Sequence, residues 1–216
     1  MLKKRVAILI SGRGSNMAAL VKAAEAADFP AEIALVVSNR ADAPGLQFAE
    51  EAGIRTMVLS HRDFSDRIAF DAALDAHLRI EGIEIICLAG FMRLLTPWLV
   101  ERWRDRMINV HPSLLPSFKG LDTHARALET GVRFHGCTVH LVRPEMDDGP
   151  IVLQAVVPVR PDDTPETLAE RVLAQEHIIY PRGLALLAGG RIQVKDERAI
   201  ISGARTPLDV LVAPRV

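Results

Sequence analysis

Four short apolar runs, RVAILI (5–10), EIALVV (32–37), RTMVL (55–59) and EIICL (84–88), are separated by three longer amphipathic stretches. This alternation constrains the fold more than any other feature of the chain. A strand buried on both faces reads as an uninterrupted apolar run rather than an alternating one. Strand-like runs that alternate with helical stretches indicate a parallel sheet with helices on both faces. The intervening helices are expected from Ser15 to about Ala27, over about 43–53 and over 65–80. In the last of these, Ile68, Ala72, Leu74 and Leu78 are expected near one face.

After Leu88 the pattern changes, and antiparallel strands are expected in the C-terminal half. MINVHP (107–112) reads as a strand, 123–131 as a helix, and HGCTVHLVR (135–143) and IVLQAVVPV (151–159) as two further strands. PEMDDGP (144–150) between them is a loop by composition. The longest helix is predicted over about 165–188, with Thr164 as N-cap before Pro165. A short β pair closes the pattern near 191–201. With no repeat or linker, residues 1–200 are expected to form one domain, and 201–216 a C-terminal tail.

The formal net charge of −1 gives no global basic field, which argues against a nucleic-acid binder that relies on charge. Hydrophobic residues at 49% and charged residues at 25% fit an ordinary globular protein. Cys87 and Cys137 stand far apart, so a reducing, cytoplasmic setting is expected rather than a disulfide framework. The opening MLKKRVAILI resembles a signal peptide in charge, but its apolar run is too short and no cleavage site follows. No apolar stretch is long enough for a membrane span.

Three short motifs carry chemistry. SGRGSN (11–16) lies between a strand and a helix, where glycines let the backbone approach a ligand and the helix N-terminus favours an anion. A plain βα turn has the same composition. Met17 stands where a dinucleotide fingerprint needs its third glycine, and the second strand ends in Ser38-Asn39-Arg40 without an acidic residue. A single phosphate suits the turn better. Asn109 and His111 lie two apart in a strand, so both side chains project from one face. The amide can donate to a developing oxyanion and the imidazole can exchange a proton. The same pair also suits a capped strand end. The third motif is the Asp147-Asp148-Gly149-Pro150 turn, whose carboxylates could orient His111, although the residues alone do not choose between them. His135 and His140, five apart, should face opposite sides, and His140 is a candidate to line the same cleft as Asn109. His61 and His77 read as surface residues, and Glu176–His177 as a polar patch on the long helix.

Taken together, ISGRGSN, LAGFMRLL, NVHPSLLP, the MDDGP loop and QEHIIYP resemble the phosphoribosylglycinamide formyltransferase family nearly from end to end. The resemblance implies a Rossmann-like α/β sheet. It implies formyl transfer from 10-formyltetrahydrofolate, a co-substrate, to the amine of glycinamide ribonucleotide in purine biosynthesis, without a metal. Its partners would be these small molecules, with no nucleic acid and no membrane, and the protein a monomer or homodimer. The resemblance further implies Asn109, His111 and Asp147 as catalytic residues. Arg13, Gly14, Ser15, Asn16 and Glu176 would hold the nucleotide. Met92, Arg93, Leu94, Leu95, Val100, Arg143 and Asp147 would line the folate cleft.

Two departures from the family pattern stand out. Asp148 occupies a usual glycine position, where a left-handed backbone would be costly. Lys119 and Asp122 replace a usual proline and histidine. A formyltetrahydrofolate hydrolase is the alternative reading, although that class usually has an N-terminal regulatory domain. A methionyl-tRNA formyltransferase would call for an added C-terminal domain. A nicotinamide-binding oxidoreductase and a non-catalytic nucleotide-binding module are further alternatives; the missing third glycine and acidic ribose residue speak against the oxidoreductase.

Overall fold

A computed structural model describes residues 2–205 and 211–213. Nine strands and six helices are present among them: β1 (Lys4–Ile10), α1 (Ser15–Ala24), β2 (Ala31–Ser38), α2 (Pro44–Glu51), β3 (Arg55–Val58), α3 (Arg67–Ile80), β4 (Ile85–Leu88), α4 (Pro97–Arg102), β5 (Met107–His111), α5 (Thr123–Thr130), β6 (Phe134–Leu141), β7 (Ile151–Pro158), α6 (Pro165–Ala188), β8 (Ile192–Lys195) and β9 (Arg198–Ile201). Seven strands form one sheet in the order β3-β2-β1-β4-β5-β6-β7. The pairs from β3 to β5 are parallel. β6 pairs antiparallel with β5 and with β7. β8 and β9 form a separate antiparallel hairpin. This is the mostly parallel, Rossmann-like sheet expected, with its antiparallel strands in the C-terminal half.

The strands owe their apolar runs to burial on both sides. Val6, Ile8 and Ile10 pack with Met17 and Leu20 of α1 and with Leu168, Val172 and Tyr180 of α6. Ala7 and Leu9 face the opposite layer with Phe70, Leu74 and Leu78 of α3 and with Trp103. The face expected on α3 is buried in part: Leu74 and Leu78 turn inward, but Ile68 and Ala72 do not. Ile68 is 65% exposed and Ala72 is also exposed, while Phe70, Asp71, Leu74, Asp75 and Leu78 turn inward. The two buried acids explain the shift. Asp71 accepts from the Thr96 backbone N–H at 2.6 Å. Asp75 accepts from Trp103 Nε1 at 2.9 Å and Arg102 Nε at 2.8 Å. Asp75 is a buried carboxylate made tolerable by bonds to both oxygens, whereas Asp71 Oδ1 has no partner and burial raises the Asp71 pKa.

Helix α6 spans the sheet. Thr164 caps its start by accepting from the Thr167 N–H, as predicted. Tyr180, fully buried, directs its hydroxyl toward Leu88 O at 2.8 Å and Ile108 O at 3.2 Å, fixing the helix against β4 and β5. The expected tail begins in the last residue of β9, and its positions 206–210 and 214–216 lie outside the described residues.

Candidate functional site

The sheet order reverses between β1 and β4, a topological switch point where the loops after the strands diverge and leave a crevice. The SGRGSN turn follows β1, the 89–96 loop follows β4, and Pro112 follows β5. The loop after β6 folds back over the sheet to meet them.

Asn109 and His111 occupy the end of β5 and project to one face, as their spacing requires. Across the antiparallel pair, Asn109 stands opposite His140. His140 Nδ1 lies 3.0 Å from Leu141 O, so this nitrogen carries the hydrogen. Nε2 is then a lone-pair acceptor, 3.1 Å from Asn109 Nδ2. That contact fixes the amide: one Nδ2 hydrogen binds His140 and the other remains for a ligand. Burial pushes the His140 pKa down to about 4, so the ring stays neutral and keeps its acceptor.

His111, 6% exposed, sets Nε2 3.0 Å from Phe118 O, and a carbonyl can only accept. Nδ1 therefore faces the Asp147 carboxylate, with Oδ2 at 3.5 Å. Asp147 Oδ1 lies 3.9 Å from His140 Nε2, and Oδ2 also accepts from the Gly120 N–H at 2.9 Å. Asn109, His111, His140 and Asp147 thus meet in one cluster. Asp148 does not join it, because its carboxylate pairs with Lys119 Nζ. Asp148, where a left-handed backbone would be costly, does not adopt one; Asp147 does, at φ 53°. Gly149 is demanded by a different constraint: a Cβ there would stand 1.7 Å from Leu141 O.

On the nucleotide side, Gly14 adopts φ 75° at the N-cap of α1, which a glycine tolerates without strain. Arg13 and Ser15 are exposed beside it. Asn16 donates Nδ2–H to Glu176 Oε2 at 2.6 Å, while its buried Oδ1 has no partner. Burial raises the pKa of Glu176, and the Asn16 bond opposes this. The sheet brings Asn16 and Glu176 together from opposite ends of the chain.

The expected folate residues divide. Met92 and Leu94 are exposed and Leu95 is partly buried along the 89–96 loop, while Val100 is buried in α4. The Arg93 guanidinium lies 4.5 Å from the Phe70 ring centroid. Arg143 turns its buried guanidinium away from the cluster, to Asp105 at 2.7 Å and Glu197 at 2.6 Å. Only its backbone remains with the loop.

No role was expected of Ser11 or Asn39. Ser11 Oγ donates to Asn39 Oδ1 at 2.6 Å and accepts from the Met92 N–H at 2.8 Å, tying the ends of β1 and β2 to the 89–96 loop. A polar residue closing each of two buried strands is the signal that marks them. His124 and His135 stack edge to face at 5.3 Å between ring centroids, and His135 also packs on Phe118 at 5.8 Å. Among the described residues, no group of three or more His, Cys, Asp or Glu side chains is placed to hold a metal ion. No helix among them is long and apolar enough to cross a membrane.

Comparison with known proteins follows the same outline. The human trifunctional purine biosynthetic protein adenosine-3 is 49% identical over 92% of this chain, which spans only 20% of that protein's length. Phosphoribosylglycinamide formyltransferase of Haemophilus influenzae is 42% identical, with 94% of this chain and 96% of that protein aligned. The crystal structure of glycinamide ribonucleotide transformylase 1 from Symbiobacterium toebii superposes with a TM-score of 0.90 at 44% identity, covering 92% of this chain and 94% of that one. Residues 4–184 match the formyl transferase family profile, and the chain belongs to that family.

Proposed function

We propose that this protein transfers the formyl group of 10-formyltetrahydrofolate to the primary amine of glycinamide ribonucleotide in purine biosynthesis. The observation that carries the reading is the Asn109–His111–Asp147 cluster at the sheet's switch point, with Asp147 Oδ2 3.5 Å from His111 Nδ1. The nucleotide phosphate sits at the SGRGSN turn, on Gly14, Ser15 and Asn16 with Arg13 beside them, and Glu176 meets the ribose or amine. The pterin lies along Met92, Arg93, Leu94 and Leu95, above Val100 and against the backbone from Arg143 to Asp147.

The chemistry follows from these positions. The unprotonated amine attacks the formyl carbon and leaves an oxyanion and a cationic nitrogen. The Asn109 hydrogen not held by His140 points to the oxyanion. A preorganised donor of this kind contributes on the order of 3 kcal/mol. The His111 ring, with Nε2 on Phe118 O and Nδ1 toward Asp147, holds the carboxylate in place beside the reacting atoms. Asp147, partly through water, takes the proton from the attacking nitrogen and passes it to the folate nitrogen as the C–N bond breaks. Holding both substrates in one crevice supplies the entropic part of the acceleration. No covalent protein intermediate forms.

Residues 1–200 act as one domain in this reading, as a cytoplasmic monomer or homodimer. The test is an absorbance assay of formyl-folate consumption with and without glycinamide ribonucleotide. Consumption that requires the nucleotide supports transfer; equal consumption without it indicates the hydrolase.

A further inference from the structure

Three consecutive residues, Phe118, Lys119 and Gly120, each touch the catalytic cluster or the loop that carries it. Phe118 O holds His111 Nε2 at 3.0 Å. The Gly120 N–H holds Asp147 Oδ2 at 2.9 Å. Between them, Lys119 Nζ forms an ion pair with Asp148, the neighbour of Asp147. Phe118 (φ 56°), Gly120 (φ 80°) and Asp147 (φ 53°) all adopt the left-handed backbone, which for Phe118 and Asp147 persists only where surrounding contacts hold it. Arg126 holds the segment from α5, with Nη1 2.6 Å from Lys119 O and 3.2 Å from Leu121 O. The Lys119–Asp148 pair is the side-chain tie on the opposite flank, joining the two loops directly.

We propose that Lys119 and Asp148 are a positioning pair that sets residues 118–120 in register with Asp147 and so orients the His111 ring and the Asp147 carboxylate. The proposal rests on the formyl-transfer reading of the cluster. An exposed ion pair adds little to global stability, so the effect belongs to the local geometry of the two loops. Neither Lys119 nor Asp148 has a positive φ, so both positions accept other side chains without backbone strain.

The test compares the wild type with Lys119→Met, Asp148→Asn and the double exchange Lys119→Asp with Asp148→Lys. Two quantities are read: steady-state kcat and KM for both substrates, and hydrogen exchange of the Gly120 amide by NMR. Each neutral variant is expected to lower kcat about five-fold with KM changed less than about two-fold, the scale of a lost exposed ion pair. Gly120 exchange should accelerate by a similar factor of about five as its bond to Asp147 opens more often. The charge exchange should recover both quantities to within about two-fold of the wild type. Unchanged Gly120 exchange in the neutral variants, unchanged kcat, or an exchanged protein no better than the poorer single variant would each overturn the proposal. If the wild type fails to formylate the nucleotide, the functional reading falls, and Gly120 exchange still decides whether the pair orders the loops.

Discussion

His135 makes the protein sensitive to acid in a way that one substitution should remove. The side chain is 1% exposed, and neither ring nitrogen makes a well-formed hydrogen bond, the Pro112 backbone opposing the cost of burial only in part. Burial, reinforced by the neighbouring His124, pushes its pKa down to about 4 from an ordinary value near 6.5. In the unfolded chain the ring binds a proton below about pH 6.5, and in the folded protein only below about pH 4. The unfolded state therefore carries more protons between those values, and stability falls as the pH is lowered through that window. The full gap corresponds to about 3 kcal/mol, of which about 2 kcal/mol is lost by pH 5. For a chain of this size that is a fall of about 4–8 °C in Tm. His135→Leu, close in volume and unable to titrate, should remove this share. Calorimetry of both proteins at pH 7 and pH 5 should show the wild type losing about 2 kcal/mol more than the variant. Any packing cost of leucine is the same at both pH values and cancels. Parallel losses in the two proteins would refute the argument that a buried neutral ring carries the sensitivity.

The remaining predictions concern the site. Gly149→Ala places a methyl where Leu141 O already stands, 1.7 Å from the ideal Cβ. The loop must shift and take Asp147 with it, so kcat should fall at least about ten-fold; an active variant with normal kcat would show that the loop adapts. Ser15→Ala and Asn16→Ala should weaken nucleotide binding more than folate binding, as separate calorimetric titrations would reveal. Equal losses for both ligands would count against the phosphate site.

Much of the fold was legible because double-sided burial writes itself into a sequence. Val6 through Ile10 must be apolar at every position when α1 and α6 cover one face and α3 the other. The site was half legible for a geometric reason: the two-residue period places Asn109 and His111 on one face, and the cross-strand register adds His140. What the sequence did not display depends on tertiary partners. The inward face of α3 includes Asp71 and Asp75, whose burial makes sense only with Thr96, Arg102 and Trp103 in place. Helix α4 is only six residues long, too short for a period, although Thr96 followed by Pro97 carries the cap signal. Asp147 and Asp148 are chemically identical in sequence. The left-handed turn at Asp147 separates them, sending one carboxylate to His111 and the other to Lys119.

The central claim is that the Asp147 carboxylate moves the proton during formyl transfer, with the His111 ring and the Asn109 amide grouped around it. Single-turnover rates of Asp147→Asn against wild type, with both substrates saturating, test it most directly. Asparagine can still accept the Gly120 N–H, so the loop is retained while proton acceptance is lost. A rate lowered about 100-fold or more, with folate affinity within about three-fold, is the predicted result. A rate within about three-fold of the wild type would contradict it.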